Sequence, residues 1–543
     1  MTRKSTTQVR SASSPPDRGA NAARRRALTR RTFIGVTLGG AAAAISATAA
    51  AAAPARGVPD PFRLGVASGD PTASGVVLWT RLAVDPLAED GAGGMPNRRI
   101  LVEWQIAADA AMTRDLRRGV ALADPAWGHS VHVEVGGLAP YREYFYRFRT
   151  GPHLSETGRT VTLPAAGTAP ELRAISLSCS HYEGGYFTAY HHAAVERPDV
   201  VFELGDYIYE GAGVPGRVRV HPGGTCLTLA DYRRRYALYR NEPETRELHA
   251  VAPWIVTWDD HEVQDNWAGI YDRTGVTSDA FLARRAAAAQ AYYEFMPLRA
   301  SSIPNGPDIQ LYRRFQWGDL ATFHVMDTRQ YRDSQACNDG GRTWWYATTA
   351  CSERYDAGRT MAGMAQDAWL LDGFQSSSAT WQLIPQGDFF SQRDISAGSV
   401  TTLATDGWDG YVADRNRIRD GWVSAGQRNA VVLTGDVHAH FANDIKADFD
   451  DPDSATVGVE LVATSITSGG DGSTVPSGGA TVLAENPWIH YIEDRRGYVL
   501  ITAAADRLRA DFRTVPYVTK RGADIAASRS YVVEVGSPGL QPG

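Results

Sequence analysis

The sequence predicts an α/β fold with sheets flanked by helices, preceded by an all-β region. From Glu171 onward, short apolar runs typical of buried strands recur, with helical stretches such as residues 278–295 between some of them. Residues 57–165 instead carry short strand patterns separated by turn residues. The first 55 residues differ from both regions, because they are rich in arginine and then in alanine. The chain therefore divides into an N-terminal segment, a β domain of residues 57–165 and an α/β domain of residues 171–543.

The N-terminal segment predicts an export signal. Arginines at positions 24–26 and 30–31 precede an apolar stretch over residues 35–53, and small residues at its end could be cut by a signal peptidase. Arg30 and Arg31, followed by Thr-Phe-Ile, resemble a twin-arginine (Tat) signal peptide. A membrane anchor is the alternative, which the high alanine content disfavours. We therefore expect a secreted, extracytoplasmic protein whose signal binds the Tat export machinery.

Composition excludes several classes of protein. Of the 543 residues, 43% are hydrophobic and 21% charged, so global disorder is excluded. The chain has 55 Lys+Arg and 61 Asp+Glu, and residues 1–53 hold nine of the bases and one of the acids, which leaves 46 against 60. No basic run and no second apolar stretch of spanning length occurs in this acidic remainder. We expect neither a nucleic-acid partner nor a transmembrane segment in the mature chain.

The four cysteines fall into three settings. Cys337 and Cys351 flank one short segment, and in an exported protein this spacing predicts a disulfide. A loop that short contributes about 3 kcal/mol in the chain-entropy model. Cys226 lies beside two glycines and has no evident partner, whereas Cys179 follows a predicted strand.

Residues 57–165 predict a β-sandwich of the fibronectin type. Residues 76–81 and 131–135 run apolar or alternate in polarity between turn residues. Residues 144–148 combine the alternation and the aromatic residues of a strand in such a sandwich.

The α/β region has polar residues at the ends of six predicted strands. Ligands bind at the carboxyl ends of strands in α/β sheets, so these residues are expected to converge. The strands and the residues that follow them are 172–177 with 178–180, 200–204 with 205–209, 254–258 with 259–262, 320–326 with 327–329, 381–384 with 385–388, and 430–433 with 434–438. Converging carboxylates repel one another unless cations bind between them. A metal site that admits an anionic substrate to an acidic protein is the interpretation we favour.

The spacing of these segments resembles one family. Gly-Asp-x-x-Tyr at residues 205–209 resembles the second block of metallophosphoesterases, and Asp260-His261-Glu262 stands where they have Asn-His-Glu. Gly-Asp-Val-His at residues 435–438 stands where they have Gly-His-x-His, and Cys179 falls in the first block. These differences from the usual metallophosphoesterase blocks are together similar to the pattern of the PhoD-like alkaline phosphatases and phosphodiesterases. The resemblance covers most of residues 57–510. It implies a metallophosphoesterase-like core of sandwiched mixed β-sheets flanked by helices.

The resemblance also implies a cluster of Fe(III) and Ca²⁺, with two calcium ions expected. Anionic thiolate and phenolate ligands favour ferric iron, and oxygen ligands suit calcium. The implied iron ligands are Cys179, Asp206, Tyr209 and His438. The implied calcium ligands are Asp260, Asn266 and Asp436, together with Asp206 as the bridge. Spacing leaves Asp259 open as the alternative to Asp260, leaves Asn266 open as a turn residue, and leaves His440 as a further metal ligand or a support for one.

The implied function is a secreted metal-dependent phosphoester hydrolase of the alkaline phosphatase D type. A hydroxide generated at the metals would attack phosphorus and release inorganic phosphate. His261 would orient phosphate, protonate the leaving group or support a ligand, and Arg329 would clamp the phosphate oxygens. Substrates would be small phosphomonoesters or phosphodiesters, including phospholipids if the activity resembles phospholipase D. The alternative from another class is a non-catalytic secreted protein that binds phosphate or glycans.

Overall fold

The computed structural model describes residues 58–337 and 351–543, with the backbone alone of Ala347–Thr348. The predicted export signal lies outside the described residues. Within them, no helix combines the length and the apolar character needed to cross a bilayer. The residues from 58 onward belong to one compact unit.

Within residues 58–165 the chain forms short strands with one 3-10 turn at Pro125–Trp127. The strands are β1 Val66–Thr72, β2 Gly75–Arg81, β3 Ile100–Ala107, β4 Arg117–Ala123, β5 Ser130–Gly136, β6 Glu143–Thr150, β7 His153–Leu154 and β8 Gly158–Val161.

Strands and helices alternate in the rest of the described chain. The strands are β9 Leu172–Leu177, β10 Val200–Glu203, β11 Pro253–Val256, β12 Arg313–Trp317, β13 Ala321–Val325, β14 Ala347–Thr348, β15 Trp381–Pro385, β16 Thr402–Leu403, β17 Ala430–Thr434, β18 His440–Lys446, β19 Thr456–Val462, β20 Ile489–Glu493, β21 Gly497–Ala503, β22 Arg507–Thr514, β23 Ala526–Glu534 and β24 Ser537–Pro542. The helices are α1 Thr188–Val195, α2 Leu229–Arg240, α3 Pro243–Val251, α4 Asp279–Phe295, α5 Met364–Ser376, α6 Val412–Ser424 and α7 Gly479–Glu485.

Two large mixed sheets dominate the described residues. One has ten strands in the order β24-β23-β22-β21-β9-β10-β11-β1-β2-β5, and its central strands β9, β10, β11 and β1 are parallel. The other has seven strands in the order β12-β13-β15-β17-β19-β18-β20, with β13, β15, β17 and β19 parallel. The mixed sheets agree with the predicted core.

The two sheets pack face to face, and helices cover their outer faces. Phe202 on β10 meets Phe323 on β13 edge to face, with ring centroids 5.1 Å apart, in the core between the sheets. Helices α1 to α4 pack on the outer face of the ten-stranded sheet, and α5 to α7 on that of the seven-stranded sheet. Because both faces of the central strands are buried, these strands are continuous apolar runs rather than alternating ones. Each fully buried aliphatic or aromatic side chain contributes about 1.5–3 kcal/mol to this packing.

The N-terminal strands divide between two sheets, which the sequence pattern does not predict. Strands β3, β4, β6, β7 and β8 form a separate five-stranded sheet. Strands β1, β2 and β5 instead extend the ten-stranded sheet, because β1 pairs in parallel with β11. Without β1, strand β11 would leave its backbone groups unpaired at an edge. Apolar side chains of both groups of strands share one core.

Candidate metal centre

The polar residues that follow the six predicted strands gather at one edge of the two packed sheets. Three of the strands, β9, β10 and β11, belong to the ten-stranded sheet, and β13, β15 and β17 belong to the seven-stranded sheet. Thr257 Oγ1, just after β11, donates to Met326 O, just after β13, at 2.7 Å and so joins the two sheets at this edge. Cys179 N donates to Gly205 O at 3.1 Å and joins the first two segments.

Five of the predicted ligands have left-handed backbone conformations. Residues other than glycine rarely adopt positive φ, and such strain concentrates at functional sites. The residues and their φ angles are Cys179 at 60°, Asp206 at 57°, Asn266 at 53°, Asp436 at 61° and His438 at 56°. The backbone therefore turns sharply at each of these five residues instead of continuing in the direction of the preceding strand.

Four side chains form what we term the thiol–phenol cluster: Cys179, Asp206, Tyr209 and His438. Tyr209 Oη lies 2.8 Å from Asp206 Oδ2 and 3.0 Å from His438 Nε2. Single ligand atoms of Cys179, Asp206 and His438 all lie within 4.8 Å of one another. Burial, and then the charge of Asp206, raises the pKa of the Cys179 thiol and of the Tyr209 phenol well above their usual ranges. Anionic forms of both groups therefore require a bound cation.

His261 belongs to a second group with Asp206 and Asp260, whose ligand atoms also lie within 4.8 Å of one another. Its Nδ1 contacts Glu210 Oε2 at 2.7 Å, and its ring packs on Tyr209 with centroids 4.1 Å apart. Burial disfavours the imidazolium, but the surrounding carboxylates, Asp260 first, raise the pKa of His261 well above its usual value. Burial also opposes ionisation of Asp206, yet His261 lowers the pKa of that carboxyl. Asp206 is the residue that the two groups share.

The structure corrects the interpretation of Arg329 as a phosphate clamp. Its side chain is 0% exposed, and its three nitrogens contact Asp259 Oδ1 at 2.5 Å, Asp388 Oδ1 at 3.1 Å and Asp406 Oδ2 at 2.9 Å. Arg332 adds a second guanidinium, with Nη1 3.5 Å from Asp388 Oδ1. We term these five residues the carboxylate–arginine cluster. Because every nitrogen of Arg329 faces a protein carboxylate, this arginine holds the acids in place and does not face substrate.

Asn266 lies between Asp260 and the carboxylate–arginine cluster. Its backbone N donates to Asp260 Oδ2 at 2.6 Å. With its amide nitrogen turned inward, Asn266 also donates to Asp260 Oδ2 and Asp406 Oδ2, each at 3.1 Å. The reverse orientation would bring the amide oxygen against two carboxylate oxygens, an arrangement that needs a cation between them. Of the two neighbouring aspartates, Asp260 lies with the candidate ligands and Asp259 with Arg329.

Glu262 joins two of the ligand-bearing segments. This fully buried carboxylate accepts hydrogen bonds from the backbone N of Asp206 at 3.0 Å, of Tyr207 at 2.6 Å and of Asp259 at 2.8 Å. Burial, and then the charge of Asp206, raises the pKa of Glu262 to about 7. The spacing between the segments that follow β10 and β11 is therefore set by one side chain.

His440 and the two cysteines of the predicted disulfide have roles remote from the metal ligands. Thr464 N donates to His440 Nδ1 at 3.0 Å, and the other ring nitrogen lies 3.3 Å from Arg513 O. His440 is thus not a ligand, because both of its nitrogens contact backbone groups between strands. Cys337 and Cys351 are joined by a disulfide, with an S–S distance of 2.01 Å. Cys226 is a buried free thiol.

A third group of potential ligands, His181, Glu183 and His221, lies beside the thiol–phenol cluster. Glu183 Oε1 accepts from the backbone N of Val214 and of His221 at 2.9 Å each. Arg235 Nη1 lies 3.3 Å from His221 Nδ1 and would repel a cation there. This group therefore anchors the loop that follows β10.

The side chains of the thiol–phenol cluster and of the neighbouring carboxylates fit bound cations. Among the described residues, the buried oxygens Asp259 Oδ2, Asp260 Oδ1 and Asp388 Oδ2 have no hydrogen-bond partner. Burial, and then repulsion by Asp388, raises the pKa of Asp436 to about 7. A buried carboxylate oxygen that has no hydrogen bond costs about 1–3 kcal/mol. Cations would remove this cost, and carboxylate, amide, phenol, thiol and imidazole groups are the ligands that hard and borderline metal ions accept.

Comparison with known proteins assigns the chain to a family. Residues 174–512 match the model of the PhoD-like phosphatase, and residues 47–164 match the model of the N-terminal domain of PhoD-like phosphatases. The chain belongs to the PhoD-like phosphatase family. One relative, the alkaline phosphatase D of Bacillus subtilis (strain 168), is 46% identical over 487 residues, which are 89% of this chain and 82% of that protein.

Solved structures agree with this PhoD-like assignment. A structure of PhoD has 46% sequence identity and a TM-score of 0.85, and the match covers 89% of this chain and 92% of that one. The purple acid phosphatase PPD1 from yellow lupin (Lupinus luteus) seeds has 12% identity and a TM-score of 0.50, over 86% of this chain and 74% of that one. The second likeness, at 12% identity, is one of fold alone.

Several residues of this PhoD-like site could not be identified from the sequence. Glu210 directly follows Gly-Asp-x-x-Tyr, and Asp388 ends the segment after β15, so both had a positional signal. Asp406 follows no strand of the parallel core, so its position gives no signal. Glu262 is part of the Asp-His-Glu motif, but the motif does not indicate what its side chain contacts. Side-chain partners decide the roles of all four, and these partners come from distant parts of the chain.

Proposed function

We propose that this protein is a secreted, metal-dependent phosphoester hydrolase of the alkaline phosphatase D type that releases inorganic phosphate. Family membership supports hydrolysis of phosphoesters. The observation that carries the proposal is the convergence of the thiol–phenol cluster and the Asp260–His261 group on one shared carboxylate, Asp206. A shared carboxylate between two groups of ligands is the arrangement expected for neighbouring cations that act on one phosphate.

The proposed metals are Fe(III) in the thiol–phenol cluster and Ca²⁺ beside it. Asp206, Asp260, Asn266 and Asp436 would hold calcium, with two ions expected from the family resemblance. When bound, the cations supply Lewis acidity toward the phosphate oxygens and a water of lowered pKa as the nucleophile. The thiol and phenol make the first site selective for iron, since calcium prefers oxygen ligands alone.

The histidines mark the side from which substrate enters. The His438 side chain is 39% exposed and that of His261 is 20% exposed, whereas Cys179 and Asp206 are only 1% and 2% exposed. Glu210 holds the Nδ1 edge of His261, and Nε2 has no hydrogen bond to another described residue. We assign His261 Nε2–H as the donor that protonates the leaving-group oxygen. Arg329 acts only indirectly, by fixing Asp259, Asp388 and Asp406.

Turnover by metal-loaded protein tests this proposal. Purified protein loaded with iron and calcium is expected to hydrolyse a chromogenic phosphomonoester, and removal of the metals by a chelator is expected to abolish turnover. Asp420→Asn, which changes an exposed carboxylate (63% exposed) outside the site, serves as the matched control for Asp206→Asn. A loaded wild-type protein that binds phosphate but turns over no ester would contradict hydrolysis and favour a phosphate- or glycan-binding protein.

The same site would also accept phosphodiesters, including phospholipids, if its opening admits a second ester group. Parallel assays with a phosphomonoester, a bis-ester and a phosphatidylcholine vesicle separate these substrates. We expect the monoester to have the highest kcat/KM. A higher kcat/KM for the bis-ester or the vesicle would assign the protein to the phosphodiesterase branch of the proposal.

We further propose export by the Tat pathway and a division into domains of residues 57–165, with a fibronectin-like sandwich, and 171–543. The two matched family regions meet between residues 164 and 174, which supports this boundary. Replacement of Arg30 and Arg31 by lysine is expected to keep the precursor inside the cell. Normal export of that variant would contradict a twin-arginine signal.

A further inference from the structure

A serine outside every motif of the sequence contacts the phenol of the thiol–phenol cluster. Ser468 Oγ lies 2.6 Å from Tyr209 Oη and 2.9 Å from Cys179 O. The residue is 1% exposed and follows β19 in a Gly- and Ser-rich loop. It thus contacts two of the proposed iron ligands, one through the side chain and the other through the main chain.

The loop that carries Ser468 is fixed on the cluster by other hydrogen bonds. Ser465 Oγ donates to Ser468 O at 2.8 Å, and Thr467 Oγ1 donates to His181 O at 2.7 Å. Arg496 Nη1 donates to Ser465 Oγ at 2.8 Å and to His438 O at 2.6 Å. Because the residues that precede Ser468 and its own carbonyl oxygen are anchored, its hydroxyl is held against Tyr209, and little side-chain freedom is left to lose.

The single proton of Ser468 has two acceptors in reach. The carbonyl oxygen of Cys179 accepts only, whereas Tyr209 Oη as a phenol donates its own proton to Asp206 Oδ2. A metal-bound phenolate has lost that proton and is a stronger acceptor than a carbonyl oxygen. The hydroxyl of Ser468 would then point at the phenolate. Hydrogen bonds to a ligand atom reduce the electron density that it donates to its metal and raise the reduction potential of the metal.

We propose that Ser468 is a positioning residue that donates a hydrogen bond to the metal-bound oxygen of Tyr209 and thereby weakens electron donation from this ligand to the iron. The inference rests on the proposed function, since it requires iron in the thiol–phenol cluster. A second serine lies beside the neighbouring ligand, where Cys179 Sγ as a thiol donates to Ser178 Oγ at 3.2 Å. A serine hydroxyl therefore contacts each of the two proposed anionic ligands other than carboxylate.

Electronic absorption and redox titration of the Fe(III)-loaded protein test this role. In Ser468→Ala, loss of the hydrogen bond is expected to shift the phenolate-to-iron charge-transfer band to longer wavelength and to make the Fe(III)/Fe(II) potential more negative. Ser468→Thr keeps the hydroxyl and is expected to restore the band position.

Ser391→Ala is the matched control, because Ser391 is a fully buried serine whose hydroxyl has no hydrogen bond to another described residue. Its band and potential are expected to equal those of the wild type. If Ser468→Ala has the same band position and the same potential as the wild type, this inference is wrong, although the proposed iron site is not contradicted. Absence of the band from iron-loaded wild-type protein would overturn both the inference and the proposed iron site.

Discussion

The thiol–phenol cluster and the carboxylate–arginine cluster lie at the same edge of the two sheets but compensate their buried charge differently. In the second, Arg329 alone contacts three carboxylates, and Arg332 contacts two of them. In the first, the ligand atoms of Cys179, Asp206 and His438 face one another, and no arginine or lysine of the described residues forms an ion pair with Asp206. The comparison teaches that protein guanidinium groups compensate most of the charge of the carboxylate–arginine cluster, whereas the thiol–phenol cluster needs a metal for this compensation. Substitutions in the first should therefore cost activity, and substitutions in the second should cost folding.

The largest effect is expected for Asp206→Asn, which removes the carboxylate that the two groups of ligands share. The bound metals contribute several kcal/mol of transition-state stabilisation, so kcat should fall roughly 1000-fold. Steady-state kinetics and metal analysis of the loaded protein check this expectation. Full activity in Asp206→Asn, or an equal loss in Asp420→Asn, would show that the shared carboxylate is not the centre of the site.

Arg329→Met is the counterpart in the carboxylate–arginine cluster. It leaves Asp259, Asp388 and Asp406 buried without their main partner, and breaking a buried ion pair costs about 3–5 kcal/mol of unfolding free energy. Urea unfolding of metal-free protein measures this loss. The exposed Arg428→Met is the matched control, with a change of less than about 0.5 kcal/mol expected. A stable Arg329→Met protein with a raised KM would instead restore the phosphate-clamp interpretation.

The neighbours Asp259 and Asp260 allow the comparison to be made within one segment. Asp260→Asn is expected to weaken metal binding roughly 10- to 100-fold, because Asp260 lies with Asp206 and His261. Asp259→Asn is expected to lower the unfolding free energy more than the metal affinity, because Asp259 contacts Arg329. Equilibrium dialysis and urea unfolding of both variants separate the two effects. The reverse pattern would make Asp259 the ligand.

The smallest effect is a pH dependence of the metal-free protein. Burial raises the pKa of Asp436 and of Glu262 to about 7, so the folded state binds more protons than the unfolded state between about pH 4 and 7. The stability that these two groups contribute is then greatest at the acidic end of this window and falls as the pH rises. Between pH 5.5 and pH 8, the melting temperature of metal-free wild-type protein should therefore change less favourably than that of metal-free Asp436→Asn, which lacks one of the two groups. An identical pH dependence of the two metal-free proteins would contradict the raised pKa of Asp436.

The sequence predicts the secondary structure of the core better than the partners of its charged residues. The six strands that end at the site are predicted from their apolar runs, and each is present in the described structure. The sequence does not show how these strands divide between the two sheets, because an apolar run fits a central strand of either sheet. Arg329 shows the limit most clearly. Its partners come from positions 259, 388 and 406, and only the folded chain brings these together.

Ser468 and His440 show the same limit for uncharged and motif-adjacent residues. Ser468 lies in a loop without a recognisable pattern, yet it contacts the proposed iron ligand Tyr209. His440 is two residues from His438, but it begins β18, and its ring accepts a hydrogen bond from the backbone N of Thr464. Nearness in sequence at a strand end therefore does not identify a ligand, because His438 lies in a left-handed turn, with φ of 56°, whereas His440 is the first residue of β18.

Metal content and visible absorption of the exported protein test the central claim most directly. The thiol–phenol cluster is expected to hold stoichiometric iron and to give a charge-transfer band from Tyr209 and Cys179, with calcium bound alongside. Cys179→Ala should lose the thiolate contribution to this band together with most of the iron. Protein that is active without iron, or a band and an activity that both survive in Cys179→Ala, would contradict the account.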